Sequence, residues 1–168
     1  MEKVYLSLGS NLGDRLDYLS RAVMELKKIE ETEIFKSSSV FETEPFGFTE
    51  QPYFYNIALE INTGLSPEDL LNECKKIEEN LGRSPRGKWR EREIDIDILF
   101  FGRRIIDTIN LVIPHKELSL RRFVLEPLNE IAGEFKCPRS HKSINELLEI
   151  CTDKSNVINI HKIIPGVS

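Results

Sequence analysis

The sequence predicts an α+β fold, because strand-like segments and two amphipathic helices follow one another in the order β-α-β-β-α-β. The first strand is Val4–Leu8, whose residues alternate well enough in character for a strand. A turn cluster at 9–14 comes next, and either Asn11 or Asp14 can cap the helix that follows. That helix, at 16–29, is predicted to be amphipathic because its apolar residues recur three and four positions apart.

The middle of the chain predicts two strands, a loop and the second helix. The strands are Ile34–Phe41, rich in β-branched and small polar residues, and Tyr53–Ile61. They flank a loop at 43–51 that contains proline and glycine. Ser66 is expected to cap the second helix, with Pro67 at its first position. Gly82 is expected to end it.

Ile94–Phe101 is predicted as the fourth strand and completes the β-α-β-β-α-β order. This order is the ferredoxin-like arrangement, which usually forms an antiparallel sheet with both helices packed on one face. The chain continues as a C-terminal extension, for which we expect a turn near Pro127 and one further helix. This helix is predicted to begin at the capping box Ser143–Glu146. No linker or repeat is visible, so we expect a single domain over 1–168.

Composition excludes several classes of protein. Of the 168 residues, 40% are hydrophobic, which argues against a disordered chain and is enough for one sizeable core. The apolar runs are far shorter than the roughly 20 residues that span a bilayer, and no signal-peptide pattern opens the chain. The three cysteines form no CxxC pair, which argues against a disulfide framework or a four-ligand zinc site. We therefore expect a cytoplasmic protein without membrane association.

The charge is unevenly distributed along the chain. The net charge of −5 argues against a general affinity for nucleic acid. The segment 83–92 nevertheless holds five basic residues and a single acid, Glu91. One cationic segment on an acidic protein favours a small anionic ligand over a long polyanion.

Two acids alternate with isoleucines in the predicted fourth strand. Residues two apart on a strand share a face and lie about 6.6 Å apart, so Asp95 and Asp97 should point away from the core together. Such a carboxylate pair suits Mg²⁺ that also grips substrate phosphates. Taken alone, however, the pair favours the simpler interpretation of an ordinary strand with one wet face.

The cationic loop leads directly into this acidic strand, which is how phosphoryl-transfer sites combine cations with Mg²⁺. The alternative is a solvated, salt-bridged loop, against which Trp89 argues because an exposed Trp usually needs a partner. The segment Gly82–Lys88 also matches the start of a P-loop. That match is accidental, because Trp89 follows where Ser or Thr is required and the loop lies between a helix and a strand in the reverse order.

Four segments together resemble the 6-hydroxymethyl-7,8-dihydropterin pyrophosphokinases of folate biosynthesis. They are 8–13, Gln51–Asn56, Gly82–Ile98 and Ile113–Leu128. The third is highly specific, and together they cover nearly the whole chain up to about residue 130, whereas the tail matches loosely. The resemblance implies a ferredoxin-like enzyme that moves the β,γ-pyrophosphoryl unit of ATP in one step to a hydroxymethyl oxygen and releases AMP.

The resemblance also implies roles for individual residues. Asp95 and Asp97 are expected to hold two Mg²⁺ ions around the triphosphate, and Arg83 and Arg92 to act with them in catalysis. The arginines are among the expected ATP contacts, which also include Glu78, Arg86, Trp89, Ile98, His115 and Arg121. The expected pterin contacts are Thr43, Phe46, Phe54, Asn56, Trp89 and Phe123.

Within the pterin set, Phe54 and Phe123 are expected to sandwich the ring and Asn56 to bind its edge. Trp89 is expected to close over the bound ligands. The chain departs from the family pattern in having Arg90-Glu91 where Gly-Pro is usual, which leaves the role of Arg90 open.

Two other function classes remain as alternatives. A Mg²⁺-dependent phosphohydrolase or nucleotidyltransferase could use the same aspartates, but a phosphohydrolase would have no use for the aromatic pair. A non-catalytic ferredoxin-like ligand-binding module, such as one for RNA, should carry aromatic residues where the fourth strand has acids. The expected partners are ATP and the pterin alone, with no nucleic acid and no membrane, and the protein is expected to be a monomer.

Overall fold

The computed structural model describes residues 1–88 and 90–167, and its main feature is a six-stranded antiparallel sheet. Within the described residues, the strands of this sheet are β1 (Glu2–Ser10), β2 (Thr32–Ser37), β3 (Phe41–Thr43), β4 (Phe54–Thr63), β5 (Asp95–Phe101) and β8 (Val157–Asn159). A small hairpin is formed by β6 (Ile106–Asp107) and β7 (Val112–Ile113). The α-helices are α1 (Arg15–Leu26), α2 (Pro67–Asn80), α3 (Arg122–Ala132) and α4 (Ile144–Ile150).

The strand order confirms the ferredoxin-like prediction. The sheet runs β5-β1-β4-β3-β8, and β2 also pairs with β4. Because β2 and β3 both lie against β4, they act as the two halves of the predicted second strand. All pairs in this sheet are antiparallel. Because of the strand order, β1 and β4 lie at the centre of the sheet and β5 lies at one edge.

The predicted helix signals are confirmed at both core helices. The Asp14 side chain accepts a hydrogen bond from the Asp17 N–H at the start of α1, so Asp14 rather than Asn11 is the cap. Ser66 accepts from the Asp69 N–H at the start of α2, with Pro67 in the first turn. Gly82 has a φ of +91°, the left-handed conformation that commonly follows a helix.

The two faces of the sheet are covered differently. Alternate residues of β1, β4 and β5 point into an apolar core beneath α1 and α2, among them Leu6, Ile57 and Ile96. On the opposite face, α3 and α4 pack over the half of the sheet that contains Tyr5 and Phe100. These two helices do not cover the other half of that face, which is occupied by polar side chains.

The structure differs from the prediction in two places. The strand predicted at Ile34–Phe41 is interrupted, because the Ser38 hydroxyl accepts a hydrogen bond from the Ala58 N–H at 2.9 Å and replaces part of the ladder. The turn predicted near Pro127 was wrong, because Pro127 lies inside α3. Buried Val124, Leu125 and Leu128 hold this helix on the sheet.

The C-terminal extension therefore contains α3 as well as the predicted α4, which begins at the capping box of Ser143 and Glu146 as expected. The extension also contains β8, which pairs with β3 and so adds a strand to the sheet. The helices within residues 1–88 and 90–167 include none with the length and apolar character of a membrane-spanning segment.

Candidate active site

A pocket lies on the open half of the sheet face, beside the first turn of α3. Its floor is formed by β1, β4 and β5, and α3 and the loop after β3 form its walls. Nine residues predicted for the site line it: Thr43, Phe46, Phe54, Asn56, Arg92, Asp95, Asp97, Arg121 and Phe123. The enclosed space is about 60 Å³, which is below the usual volume of ligand pockets, so a bicyclic ligand requires side chains at its walls to move.

The carboxylate pair follows from the alternation of β5. Ile96 and Ile98 are buried under α1 and α2, so Asp95 and Asp97 point together into the pocket. Asp95 is bound by two guanidinium groups. Arg83 Nη1 lies 2.9 Å from Asp95 Oδ1, and Arg92 Nη1 lies 3.0 Å from Asp95 Oδ2.

The charge of Asp97 is compensated less completely than that of Asp95. Its Oδ2 lies 3.8 Å from His115 Nε2 and 3.9 Å from Arg121 Nη1, beyond direct hydrogen-bond distance. Burial, followed by the negative charge of Asp95, raises the pKa of Asp97 to about 8. Burial and then the charge of Arg121 lower the pKa of His115, so this imidazole adds little positive charge. A bound cation would favour the ionised form of the Asp97 carboxyl.

The donor chemistry of the pair fits magnesium. Asp95 and Asp97 supply hard carboxylate oxygens, and Mg²⁺ typically takes one or two carboxylates together with waters and substrate phosphates. No group of three or more His, Cys, Asp or Glu side chains suited to a metal occurs within 1–88 and 90–167.

Glu78 supports the edge strand beside this pair. Its Oε1 accepts a hydrogen bond from the Ile96 N–H at 2.7 Å and lies 2.6 Å from Arg83 Nη1. Burial, followed by the charge of Asp95, raises the pKa of Glu78 to about 7. Glu78 thus holds β5 and Arg83 from the side and does not line the pocket.

Arg86 is not brought into the pocket. Its guanidinium makes two hydrogen bonds to buried Glu93, at 2.8 and 2.7 Å, and these lower the pKa of Glu93 although burial opposes them. The Ile98 side chain lies in the core under the helices, so only its backbone could face a nucleotide. Trp89 lies outside the described residues, and the expectations made for it stay predictions.

The other half of the pocket is aromatic. The rings of Phe46 and Phe123 meet at 6.2 Å with their planes tilted by 51°. Below them, Asn56 Nδ2 donates to Thr43 Oγ1 at 2.6 Å. A Cβ on Gly9 would lie 2.4 Å from Asn56 Oδ1, so glycine is required at this position for the amide to fit.

Asn11 joins the two halves, and sequence reasoning considered it only as a helix cap. Its Nδ2 donates to Gln51 Oε1 at 3.0 Å and to the Pro52 carbonyl at 2.9 Å. Its Oδ1 accepts from the Arg92 N–H at 2.9 Å, and its own N–H donates to the Arg92 carbonyl. Four hydrogen bonds therefore connect the loop before Phe54 to the backbone that carries Arg92. An Asn in a Gly-Ser-Asn turn is too common a signal to predict this role.

This combination of a carboxylate pair, arginines and aromatic side chains on a ferredoxin-like sheet is typical of a phosphoryl-transfer enzyme. The family model for 7,8-dihydro-6-hydroxymethylpterin-pyrophosphokinase (HPPK) matches residues 5–133, and the chain belongs to this family. It is thus an ATP-dependent pyrophosphokinase. The two alternative classes are not supported by this membership.

Individual relatives agree with the family match. The chain is 41% identical over 154 residues to a 2-amino-4-hydroxy-6-hydroxymethyldihydropteridine pyrophosphokinase of Bacillus subtilis, covering 91% of this chain and 92% of the relative. It is 42% identical over 146 residues to the protein of the same name from Aquifex aeolicus, covering 87% and 90%. It also matches the folic acid synthesis protein of Pneumocystis carinii at 41% identity over 90% of this chain, but spans only 20% of that longer protein.

Solved structures show the same fold at lower identity. The wild-type HPPK-DHPS of Plasmodium falciparum with pteroate superposes with a TM-score of 0.71 over 88% of this chain, at 20% identity. The chain spans 42% of that protein, so this likeness concerns the fold of one part of it.

Proposed function

We propose that the protein transfers pyrophosphate from ATP to the hydroxymethyl group of 6-hydroxymethyl-7,8-dihydropterin, giving AMP and the pterin diphosphate in folate biosynthesis. The observation that carries the proposal is the single pocket that joins the Asp95 and Asp97 pair to the Phe46 and Phe123 rings. Once side chains at its walls have moved, a phosphate chain and a flat ring can lie side by side there, with the acceptor hydroxyl between them.

In the charged half, Asp95 and Asp97 would hold two Mg²⁺ ions together with the triphosphate oxygens. When bound, these ions neutralise phosphate charge and help the acceptor hydroxyl to lose its proton. Asp97 must be ionised to serve as a ligand, and the raised pKa of its carboxyl means that it is largely protonated below about pH 8 without a cation.

The guanidinium groups would serve the transferring phosphates. Arg83 and Arg92 are each held against one oxygen of Asp95, so both lie beside the carboxylate that would bind metal and close to any phosphate on it. Arg121 lies at the opposite wall, 3.9 Å from Asp97, with His115 beside it. Charges arranged in this way before the reaction stabilise a transferring phosphoryl group without reorganisation.

In the aromatic half, Phe123 and Phe54 would enclose the pterin ring, and Asn56 would bind its edge. Phe46 rests on Phe123 and would have to swing aside to admit the ring. The Asn56 amide lines the pocket and is already oriented by its hydrogen bond to Thr43. A fixed polar group under stacked rings provides orientation as well as affinity.

The transfer is a single displacement. The hydroxymethyl oxygen of the pterin attacks the β-phosphorus of ATP, and the new O–P bond forms as the bond from that phosphorus to the α,β-bridging oxygen breaks. AMP leaves with that oxygen, and the hydroxyl proton passes to solvent. The residues of the pocket hold the two substrates in line, which converts a reaction between separate molecules into one within a complex.

The identity of the nucleotide that the reaction releases tests the proposal. The protein is incubated with ATP, Mg²⁺ and 6-hydroxymethyl-7,8-dihydropterin, and AMP is separated from ADP. We expect AMP that depends on the pterin, without free pyrophosphate. ADP would indicate an ordinary kinase, phosphate release without the pterin would indicate a phosphohydrolase, and no nucleotide product in a folded sample that binds ATP would overturn the proposal.

Several further expectations stay predictions. They are the count of two metal ions, a monomeric protein, a single domain over 1–168, a cytoplasmic location and the absence of a nucleic-acid partner. Sedimentation of the protein with and without its substrates would test the monomer.

A further inference from the structure

The segment Asp153–Asn159 lies beyond residues 5–133, which the family model matches, and contacts both walls of the aromatic half of the pocket. One wall is the start of α3, which carries Phe123. The other is β3 with the loop after it, which carries Phe46.

At the first wall, Asp153 supplies a missing helix cap. Arg121 occupies the N-cap position of α3, and its side chain makes no capping hydrogen bond. The Arg122 N–H instead donates to Asp153 Oδ2 at 3.0 Å. The other carboxylate oxygen is held by the Ser155 N–H at 2.9 Å and by the Ser155 hydroxyl. An anion at a helix N-terminus satisfies an unpaired donor and interacts favourably with the helix dipole.

At the second wall, the same segment extends the sheet. β8 pairs with β3 so that Val157 lies opposite Thr43 and Asn159 opposite Phe41. The Glu44 N–H donates to the Asn156 carbonyl at 3.1 Å, just after β3 ends. The loop that carries Phe46 therefore leaves from a strand end that is held by the C-terminal segment.

We propose that Asp153–Asn159 sets the spacing between Phe46 and Phe123, and that Asp153 is a positioning residue for the pterin. Phe123 follows Arg122 directly in α3, so a shift of the helix start moves its ring against Phe46, 6.2 Å away. This inference rests on the proposed function, since it assigns these rings to the pterin.

The ionisation of Asp153 agrees with this role. Burial alone would raise the pKa of its carboxyl, but the hydrogen bonds from Ser155 and Arg122 hold it below the ordinary value. The group that caps α3 is therefore an anion at neutral pH.

The test compares Asp153→Ala with Ser143→Ala. Ser143 caps α4 in the same manner, by accepting from the Glu146 N–H at 3.1 Å, and α4 contributes no residue to the lining of the pocket. We measure the dissociation constant of 6-hydroxymethyl-7,8-dihydropterin in the presence of a non-hydrolysable ATP analogue and Mg²⁺. Asp153→Ala should weaken pterin binding about tenfold, and Asp153→Asn, which keeps an oxygen acceptor, by less.

Ser143→Ala should lower the melting temperature about as much as Asp153→Ala does, but it should leave pterin binding unchanged. Equal pterin affinity in the two alanine variants would overturn the inference, because loss of a cap anywhere would then have the same effect. The comparison thus separates positioning from general stability.

A double-mutant cycle shows whether Asp153 acts through Phe123. In a Phe123→Ala background, Asp153→Ala should weaken pterin binding no further, because the ring that it positions is gone. Additive losses would contradict the inference. A parent chain that fails to bind the pterin overturns the proposed function together with the inference, whereas a parent that binds it with Asp153→Ala behaving like Ser143→Ala overturns the inference alone.

Discussion

The charged and aromatic halves of the pocket are built in different ways. The main members of the charged half lie within 83–97, on one edge strand and the loop that precedes it, and ion pairs connect them. The aromatic half brings together Phe46 from the loop after β3, Phe54 from the start of β4, and Phe123 from α3, which follows much later in the sequence. The charged half is therefore organised locally, whereas the aromatic half depends on how distant elements pack.

This difference predicts two kinds of mutational effect. Substitutions in the charged half should remove catalysis and leave the fold intact, because its groups act on charge that develops in the reaction. Substitutions that affect the aromatic half, or its connection to Arg92, should act through geometry and give smaller effects. The predictions below run from the largest effect to the smallest.

The largest effect is expected at the carboxylate pair. Asp97→Asn should lower kcat/KM by at least about 1,000-fold, because the amide cannot replace an anionic ligand for Mg²⁺. The measurement is steady-state AMP formation across a Mg²⁺ titration. Asp107→Asn is the matched control, since Asp107 is exposed, pairs with Arg139 and lies outside the pocket. Near-normal activity in both Asp95→Ala and Asp97→Ala would contradict the role of the pair.

Arg92→Ala should lower kcat about 100-fold while changing the dissociation constant of ATP only slightly. The guanidinium lies beside Asp95, where the charge of the transferring phosphates shifts during the reaction. Single-turnover rates and equilibrium binding of a non-hydrolysable ATP analogue separate the two quantities. Arg104→Ala, at an exposed ion pair with Glu2, serves as the control. Equal losses in rate and affinity would assign Arg92 to binding alone.

Asn11 tests the connection between the halves. Asn11→Ala removes the three side-chain hydrogen bonds to Gln51, Pro52 and Arg92 and should lower kcat/KM about tenfold. Asn11→Asp keeps an acceptor for the Arg92 N–H but loses the donor to the loop. It should therefore raise the KM for the pterin more than the KM for ATP, and a larger effect on ATP would break the proposed separation of the halves.

The smallest effect concerns stability near the aromatic half. Removing the cap at Asp153 should cost about 1 kcal/mol at pH 7. Because the pKa of Asp153 is lowered in the folded protein, its ionic contribution is fully present above the unfolded value of about 3.9 and is lost as the pH falls through the folded value. The gap in melting temperature between the parent and Asp153→Asn should therefore stay constant down to about pH 4 and shrink as the pH falls further. A gap that stays constant over the whole range would show that the charge of Asp153 contributes nothing.

Much of the fold could be predicted from local patterns. The caps Asp14 and Ser66, the glycine at 82 and the alternation of β5 each act over a few residues, so sequence spacing reports them directly. The break at Ser38 could not be predicted, because it depends on a hydrogen bond to Ala58, 20 residues away. Pro127 misled for a similar reason, since the buried face of α3 outweighs the hydrogen bond that proline cannot make.

In the candidate site, too, residues that follow from local spacing could be predicted and residues that act through distant contacts could not. Asp95 and Asp97 follow from a two-residue period, whereas Asn11 and Asp153 act through contacts 81 and 31 residues away along the chain. Arg86 is the opposite case. The family resemblance predicts that it contacts phosphate, but in the folded chain its guanidinium donates two hydrogen bonds to Glu93.

The sequence by itself determined the βαββαβ order, the face on which the two aspartates lie and the chemistry of the cationic loop, because these depend on short-range spacing and residue type. Only the tertiary structure decided that α3 covers half of the open sheet face and that the C-terminal segment caps α3 and extends β3. It also decided that Asn11 links the loops of the two halves. These features depend on packing between segments far apart in the chain, and that packing is set by the burial of whole faces rather than by local sequence.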